Sequence, residues 1–225
     1  MAEHDALAIA ALASARRFAA GGCAWCLAPR MPEHARHLAV EFVHPVIMGK
    51  RALPAVSIAG ADPIAQLRAV ARPGDLLFAV GAADEAVIGE AMRRAPAWGL
   101  TSVWIGSGPA PAEGSADHVL WVDDDTGSAP FDGRLVRLYH LLWELTHVCF
   151  EHSGLLTDPD ACADDVCITC SDEGVVAEIV TVDALGDATV RTARGIEHID
   201  VSLVGPVGRD DLVLVHAGAA IATIT

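Results

Sequence analysis

An acidic segment near residue 160 divides the chain into two stretches with different sequence patterns. Residues 157–165 read Thr-Asp-Pro-Asp-Ala-Cys-Ala-Asp-Asp, which combines one proline and four aspartates with no periodic apolar residues. A stretch of this kind repels itself and stays exposed, as linkers do. We therefore predict an N-terminal domain over residues 1–157, a linker over 158–165 and a C-terminal domain over 166–225.

The two stretches also differ in charge, and the total charge excludes some partners. Residues 1–157 contain 12 basic and 17 acidic residues, whereas residues 158–225 contain 3 and 13. The formal net charge of the chain is -15, which repels nucleic-acid phosphates and anionic lipid surfaces. No apolar run approaches the roughly 20 residues needed to span a bilayer, and the N-terminus lacks the basic region of a secretory signal. We expect a cytoplasmic protein with no membrane or nucleic-acid partner.

Short apolar runs alternate with helical patterns through the N-terminal domain. The runs are apolar or β-branched throughout, as strands covered on both faces are; they span residues 53–58, 75–80, 101–105 and 118–122, after a first strand-and-turn segment at 18–27. Helical patterns occur at residues 6–18, 63–71, 84–98 and 131–150. This alternation predicts an α/β fold with a doubly wound parallel sheet.

The pattern changes after the acidic segment to short alternating runs separated by turn signals. These runs span residues 174–182, 188–192, 197–203 and 212–216, with Gly, Asp and Pro between them. Fewer than 70 residues of this kind predict a small all-β module that closes as an OB-like barrel, with its apolar positions pointing inward.

The best candidates for chemistry in the C-terminal domain are two cysteines and one histidine. Cys167 and Cys170 are two residues apart in Cys-Ile-Thr-Cys, a spacing that lets two thiolates face one soft metal ion. Buried apolar thiols are the alternative, because free cysteine is commonly buried. His216 ends an apolar run, where a histidine is either a satisfied edge residue or a ligand.

The C-terminal domain resembles the HypC/HupF family of [NiFe]-hydrogenase maturation chaperones. The resemblance lies in a cysteine at the start of the module, the strand Val-Val-Ala-Glu-Ile-Val, the segment Val-Ser-Leu-Val and the closing Asp-Leu-Val-Leu-Val-His-Ala-Gly-Ala-Ala-Ile. It implies a non-enzymatic scaffold that receives iron carrying cyanide and carbon monoxide, an Fe(CN)2CO group, from a HypD-type partner. The scaffold then passes this iron to the precursor of the hydrogenase large subunit.

The same resemblance implies which residues hold the iron. The family's essential cysteine corresponds to Cys167, and the histidine of its Val-His-x-Gly motif corresponds to His216, while Cys170 is a second thiol that assists or replaces Cys167. A soft thiolate and an imidazole suit low-spin Fe(II) that also carries strong-field ligands. We therefore expect the metal ligands Cys167, His216 and Cys170, with iron held only transiently.

The N-terminal domain resembles a sugar isomerase (SIS) domain of the phosphoheptose-isomerase type. The resemblance lies in Arg-Pro-Gly-Asp-Leu-Leu-Phe at residues 72–78, Leu-Thr-Ser-Val-Trp-Ile at 100–105, the strand at 118–122 and the long closing helix. In such domains a hydroxyl-rich turn after the strand at 76–80 holds the sugar phosphate. Here the turn at 81–85 has no hydroxyl and two carboxylates, which repel a dianion. We expect a degenerate, non-catalytic SIS-like domain used for self-association, and keep a sugar-phosphate isomerase or binding protein as the alternative.

Two further groups of residues invite a metal or redox interpretation. His34, His37 and Glu41 have spacings that place them on one helix face, as a metal site requires, but solvated helix-face residues are our preferred interpretation. Cys23 and Cys26 form a Cys-x-x-Cys pair, for which we considered a redox site and a zinc site shared with the two later cysteines. Buried core thiols are the favoured interpretation of this pair.

Overall fold

The computed structural model describes residues 3–47, 49–122, 133–156, 174–183 and 185–224. The chain forms two compact units, which we call the α/β unit (Met1–Ala95 with Leu100–Asp158) and the barrel unit (Pro96–Gly99 with Pro159–Thr225). The predicted linker at 158–165 lies outside the described residues, so its boundaries stay a prediction. Cys167 and Cys170 also lie outside them.

The α/β unit contains a five-stranded parallel sheet with strand order β2-β1-β3-β4-β5. This order confirms the predicted doubly wound fold. The elements in chain order are α1 (Glu3–Ala19), β1 (Ala24–Leu27), α2 (Pro32–Val43), β2 (Ala55–Ile58), α3 (Pro63–Val70), β3 (Leu76–Val80), α4 (Ala86–Arg94), β4 (Thr101–Ser107), β5 (His118–Val122) and α5 (Gly133–Glu151), followed by a 3-10 turn at Ser153–Leu155. None of the described helices is both long and apolar enough to cross a membrane.

Helices cover both faces of the sheet, which explains why its strands are apolar throughout. All five residues of β3 are buried, and six of the seven residues of β4 are buried. Helices α1 and α2 both contact α5, while α3 contacts α4, as right-handed crossovers on opposite faces require. The core between the sheet and helices α1, α2 and α5 includes Phe18, Leu38, Phe42, Phe78 and Leu142.

The two glycines near residue 21 end a helix and do not follow a strand. Helix α1 continues to Ala19, and the backbone N–H groups of Gly21 and Gly22 donate to Phe18 and Arg17 carbonyls at 3.0 and 2.9 Å. A side chain at Gly22 would lie 2.6 Å from the Gly74 carbonyl oxygen, so only glycine fits. The predicted strand segment at 18–27 is therefore shorter, and the loop that follows β1 is residues 28–31.

The barrel unit contains a closed five-stranded barrel with strand order β10-β8-β7-β6-β9, which confirms the predicted all-β module. Its strands are β6 (Val175–Val182), β7 (Asp187–Thr192), β8 (Gly195–Asp200), β9 (Leu212–His216) and β10 (Ala219–Ile224). The interior is filled by alternating apolar residues, including Ala177, Ile179, Val190, Ile199 and Val213.

Strand β10 closes the barrel and is absent from the sequence-based prediction. It pairs antiparallel with β9 through a turn at Ala217 and Gly218, both with positive φ, and its first residue Ala219 pairs with Asp200 of β8. The strand reads Ala-Ala-Ile-Ala-Thr-Ile, in which the small residues hide the alternation of apolar and polar side chains that is typical of a strand. It becomes a strand because two neighbours supply its backbone partners.

Candidate functional site

Three metal-ligating side chains converge between helices α2 and α5. His37 Nε2 lies 3.2 Å from Glu41 Oε1 and 3.2 Å from His140 Nε2, and His140 Nε2 lies 3.5 Å from Glu41 Oε1. His37 and Glu41 face the same side of α2 because they are four residues apart, and α5 packs against that side. We call these residues the His-Glu-His cluster.

The cluster has the dimensions of a zinc site. Ligand atoms that surround one zinc ion tetrahedrally at about 2.0–2.2 Å lie about 3.3–3.6 Å from one another, which is within about 0.1 Å of the three observed distances. Two imidazoles and one carboxylate are also a common donor set for catalytic zinc. The His37 and His140 side chains are 41% and 44% exposed, so a fourth position is open to a substrate.

Tyr139 and His34 fix the orientation of His37. The Tyr139 hydroxyl lies 2.9 Å from His37 Nδ1 and 3.3 Å from His34 Nδ1. Burial lowers the pKa of His34, which favours its neutral ring. In one tautomer of this network the tyrosine hydroxyl donates to His34 Nδ1 and accepts from His37 Nδ1–H, which leaves the lone pair of His37 Nε2 toward Glu41 and His140, as a metal ligand needs.

A cavity of about 270 Å³ lies at the carboxyl ends of β1 and β3. The chain turns in opposite directions after these neighbouring strands, and such a switch point is where α/β sheets bind ligands. We call it the switch-point cavity; its lining includes Arg30, Gly81, Ala82, Glu85, Ser107 and Leu135. Leu135, which lines the cavity, lies one turn before Tyr139, the residue that contacts His37.

Glu85 is a buried carboxyl group at the wall of the switch-point cavity. The residue is 4% exposed, its Oε1 accepts from the Ala82 N–H at 3.2 Å, and no described residue reaches its Oε2 with a hydrogen bond. Burial raises the pKa of Glu85, against the lowering effects of hydrogen bonds from the Ala82 and Arg30 backbone N–H groups and of the Arg30 guanidinium. A Cβ at Gly81 would lie 2.4 Å from Glu85 Oε1, so the carboxyl position depends on this glycine.

The structure corrects the interpretation of the helix-α2 residues. His34 is 7% exposed, so the description as a solvated helix-face residue is wrong for this histidine, whereas His37 is half-exposed and lies next to Glu41 and His140. The spacing of His37 and Glu41 was a usable signal. His140, within Leu-Tyr-His-Leu-Leu on α5, belongs to no recognisable sequence motif, so the sequence did not indicate it as a ligand. Arg30 was not predicted to line a cavity because the loop after β1 was placed too early in the chain.

Cys23 and Cys26 are structural thiols. Cys26 belongs to β1 and is fully buried, and burial raises its pKa and that of Cys23. The backbone N–H of Cys23 and the indole N–H of Trp25 both donate to Asp75, at 2.8 and 2.9 Å, which joins the starts of β1 and β3. Thiols that burial keeps protonated are poor nucleophiles, so the environment of the pair favours core packing over redox chemistry.

His216 ends strand β9, and the strand register places the entry to β6 beside it. Val175 pairs with Val215 and Val176 pairs with Leu214 in the antiparallel β6–β9 ladder. Cys170 precedes Val175 by five residues, and an extended chain covers up to about 3.6 Å per residue. The ladder places Val175, the first residue of β6, beside the end of β9, while shared ligation by Cys167, Cys170 and His216 stays a prediction.

Comparison with known proteins identifies the fold of the α/β unit. A phosphoheptose isomerase from Francisella tularensis matches with a TM-score of 0.56 at 19% identity, covering 64% of this chain and 86% of that chain. The phosphoheptose isomerase GmhA from Neisseria gonorrhoeae matches with a TM-score of 0.51 at 18% identity, covering 66% and 86%. The α/β unit has the fold of a sugar isomerase domain.

The SIS-like part of the sequence resemblance is thereby supported, at the level of fold. No family model and no curated protein sequence matches the chain. The HypC/HupF resemblance of the barrel unit gains no support from the comparisons and rests on its sequence motifs. The functional assignments of both units are therefore argued below from their residues.

Proposed function

We propose that the α/β unit is a sugar-binding module that moves a proton between adjacent carbon atoms of its ligand, as an aldose–ketose isomerase does. The observation that carries this proposal is the His-Glu-His cluster, whose three donor atoms lie 3.2–3.5 Å apart. The isomerase fold supports a ligand of the same class.

The cluster contains the acid and base groups that such a reaction needs. Glu41 would hold zinc through Oε1, so its second carboxylate oxygen, Oε2, takes a proton from the carbon next to the sugar carbonyl and returns it to the former carbonyl carbon. The hydroxyl proton moves between the two sugar oxygens by exchange with water, so the product is an isomer of the substrate. Zinc held by His37, Glu41 and His140 would supply polarisation of the carbonyl.

Tyr139 is a positioning residue in this proposal. Burial raises its pKa to about 12, with the Glu41 carboxylate adding to the shift, so its hydroxyl stays protonated near neutral pH. A protonated phenol keeps the contact with His37 Nδ1 described above. The expectation of a non-catalytic domain was based on the turn at 81–85, which concerns phosphate binding and leaves the proton-transfer groups untouched.

Zinc binding to the full chain tests the centre. Titration of the chain stripped of metal should show one site that His140→Ala and Glu41→Gln each weaken at least about 100-fold, while the matched variant His152→Ala, which removes an exposed histidine, leaves it unchanged. Cobalt should give a spectrum without thiolate charge-transfer bands, since the donors are nitrogen and oxygen. Proton exchange at C1 or C2 of a sugar, followed by NMR in D2O, should disappear in Glu41→Gln.

Two results would contradict the proposal. If His140→Ala binds zinc as tightly as the native chain does, the His-Glu-His cluster is not the zinc site. If the zinc-loaded chain neither isomerises sedoheptulose or its 7-phosphate nor exchanges their carbon-bound protons, the proposed reaction is refuted.

A second function, in the barrel unit, is hydrogenase maturation. It is favoured by the β6–β9 register, which brings the chain downstream of Cys167 and Cys170 to the strand end at His216. The proposed cargo is iron carrying cyanide and carbon monoxide, received from a HypD-type protein and delivered to a large-subunit precursor. This role needs no turnover by the barrel unit, only a soft thiolate and a neutral imidazole that bind and release iron.

Infrared spectroscopy tests this second function directly. The chain copurified anaerobically from cells that make [NiFe]-hydrogenase should show cyanide and carbon monoxide bands. His216→Ala should remove the bands, whereas His198→Ala, an exposed histidine on β8, should retain them. Bands of equal intensity in both variants would exclude His216 as a ligand.

A further inference from the structure

Another cavity of the α/β unit lies at the carboxyl ends of β1 and β2, and we call it the β1–β2 cavity. Leu27 and Ile58, the last residues of these two strands, are paired in the sheet, and both line it. Its volume is about 370 Å³, which is in the range of small-molecule sites. The loop after β1 separates it from the switch-point cavity, because Pro29 lines the first and Arg30 the second.

The walls of the β1–β2 cavity are apolar and conformationally restricted. The apolar lining residues include Leu27, Pro29, Pro32, Ile58, Pro63 and Val87. Leu27 and Ile58 are 1% and 8% exposed, so the cavity is built on residues of the core. Each proline ring fixes φ, so these segments lose little conformational freedom when a ligand binds. Such a cavity suits a ligand with a hydrocarbon body.

Arg36 of α2 adds a positive charge to this apolar cavity. Among the described residues that line it, Arg36 is the only one with a polar side chain. Its side chain is exposed and forms no ion pair with a described residue, whereas Arg30 is paired with Asp84 at 3.0 Å. A guanidinium without a carboxylate partner, in a lining that contains no acidic residue among those described, attracts an anion.

A single arginine limits the charge that this anion can carry. A guanidinium binds a carboxylate through two parallel N–H···O bonds, which compensates one negative charge. A phosphate dianion carries a second charge, for which the described lining has no further cation and no polar side chain. Placing an uncompensated charge against apolar walls is costly, so the cavity favours a monoanion.

We propose that the β1–β2 cavity binds a small apolar monocarboxylate, whose carboxylate pairs with the Arg36 guanidinium while its hydrocarbon part contacts the apolar walls. The site is distinct from the His-Glu-His cluster. Arg36 and His37 are adjacent on α2, but His37 contacts His140 of α5, whereas Arg36 lines the cavity. The inference therefore goes beyond the proposed sugar chemistry and does not rest on it.

Calorimetric titration of the full chain with three compounds that share a phenylpropyl body tests the inference. 4-Phenylbutyrate should bind at least about tenfold more tightly than its uncharged amide and than 3-phenylpropyl phosphate. Arg36→Met keeps an aliphatic stem and removes the charge, so affinity for 4-phenylbutyrate should fall at least about tenfold while affinity for the amide stays the same. Arg72→Met removes an exposed arginine that precedes β3, at the opposite edge of the sheet, and should change neither affinity.

NMR of the backbone amides locates the bound compound. The signals of Gly60 and Val87 should shift on addition of 4-phenylbutyrate, whereas the signal of Ser107 in the switch-point cavity should not. Equal binding of the acid and the amide, tighter binding of the phosphate, or no binding of any compound would overturn the inference. Undiminished binding by a folded Arg36→Met variant, with the melting temperature of the native chain, would overturn it too. None of these outcomes bears on zinc binding, so the proposed function is tested separately.

Discussion

The α/β unit and the barrel unit carry their candidate chemistry in different ways. In the α/β unit, His37 and His140 are 103 residues apart in the chain, and helix packing brings their rings to 3.2 Å. In the barrel unit, the candidate ligands lie in one short segment and at one strand end, which the sequence marks directly. A site assembled by helix packing has few residues that are close in sequence, so no short motif identifies it. A candidate site whose ligands lie in one short segment can be recognised from a sequence motif.

The two donor sets also differ in the metal they favour. The His-Glu-His cluster offers nitrogen and oxygen, which suit zinc, while Cys167, Cys170 and His216 offer sulfur and nitrogen, which suit soft iron with cyanide and carbon monoxide. The functions of the two units should therefore be separable by mutation. The following predictions test this separation.

The largest expected effect is the loss of hydrogenase maturation in Cys167→Ser. An alcohol stays protonated and binds soft iron poorly, so maturation in cells should be abolished while zinc binding by the α/β unit is retained. Cys170→Ser should reduce maturation less. Cys149→Ser, a buried cysteine on α5, is the matched control and should mature hydrogenase normally.

Hydrogenase activity in a strain that lacks the native gene measures this effect. Equal and complete loss in Cys167→Ser and Cys170→Ser would indicate that both thiolates are ligands. Normal maturation with Cys167→Ser would refute the assignment of this residue. Loss of zinc binding with either variant would break the proposed separation of the two units.

The next largest effect is expected in the α/β unit, for Tyr139→Phe. The variant keeps the buried ring but removes the hydroxyl that lies 2.9 Å from His37 Nδ1. Partners that orient a metal ligand typically contribute 10–100-fold to metal affinity, so zinc should bind about tenfold more weakly. Competition with a chromophoric chelator measures this change, and equal zinc affinity in Tyr139→Phe and the native chain would contradict the proposed orienting role.

The sequence predicted the fold of both units more completely than their sites. Buried parallel strands are apolar throughout, so β3 and β5 could be placed to within a residue from local pattern. Strand β10 was missed because its small residues acquire strand structure from two neighbours. The loop after β1 was misplaced because α1 continues to Ala19, and with it the lining residue Arg30 was missed.

The candidate site was harder to predict because none of its residues lies in a sequence pattern specific to a metal site. His37 and Glu41 have the spacing of metal ligands on a helix, but the same spacing is common on solvated helices. Only the contact with His140 of α5 distinguishes a metal site from a solvated helix face. The buried state of Glu85 likewise depends on Gly81 and on the loop that carries Arg30. Such properties arise from tertiary contacts, which a local pattern does not contain.

A smaller effect is expected from the exposed apolar surface of the α/β unit. Ile9 on α1 and Leu141 on α5 are 47% and 37% exposed, and these two helices contact each other. We predict that the chain forms a homodimer or larger assembly through these helices, because exposed apolar helix faces gain free energy when covered. Leu141→Glu should raise the dissociation constant about tenfold.

Sedimentation velocity at micromolar concentration measures this association. Ile196→Glu places the same charge on an exposed apolar residue of the barrel unit and should leave the sedimentation coefficient unchanged. A native chain that sediments as a monomer would refute the prediction. Association weakened by Ile196→Glu but not by Leu141→Glu would assign it to the barrel unit instead.

The smallest expected effect is a pH dependence of stability that originates at His34. Burial lowers the pKa of this histidine, with the neighbouring His37 adding to the shift, so the unfolded chain binds its proton at a higher pH than the folded chain does. Between the two pKa values the unfolded state holds more protons, and the free energy of unfolding therefore falls as the pH drops below about 6.5. His34→Gln should lose less stability than the native chain between pH 7.5 and 5.5.

Urea unfolding followed by tryptophan fluorescence measures this difference and reports mainly on the α/β unit, which contains Trp25, Trp104, Trp121 and Trp143. The same pH slope in His34→Gln and the native chain would show that the ring is free to take up its proton in the folded state, which would contradict its role as the acceptor of the Tyr139 proton.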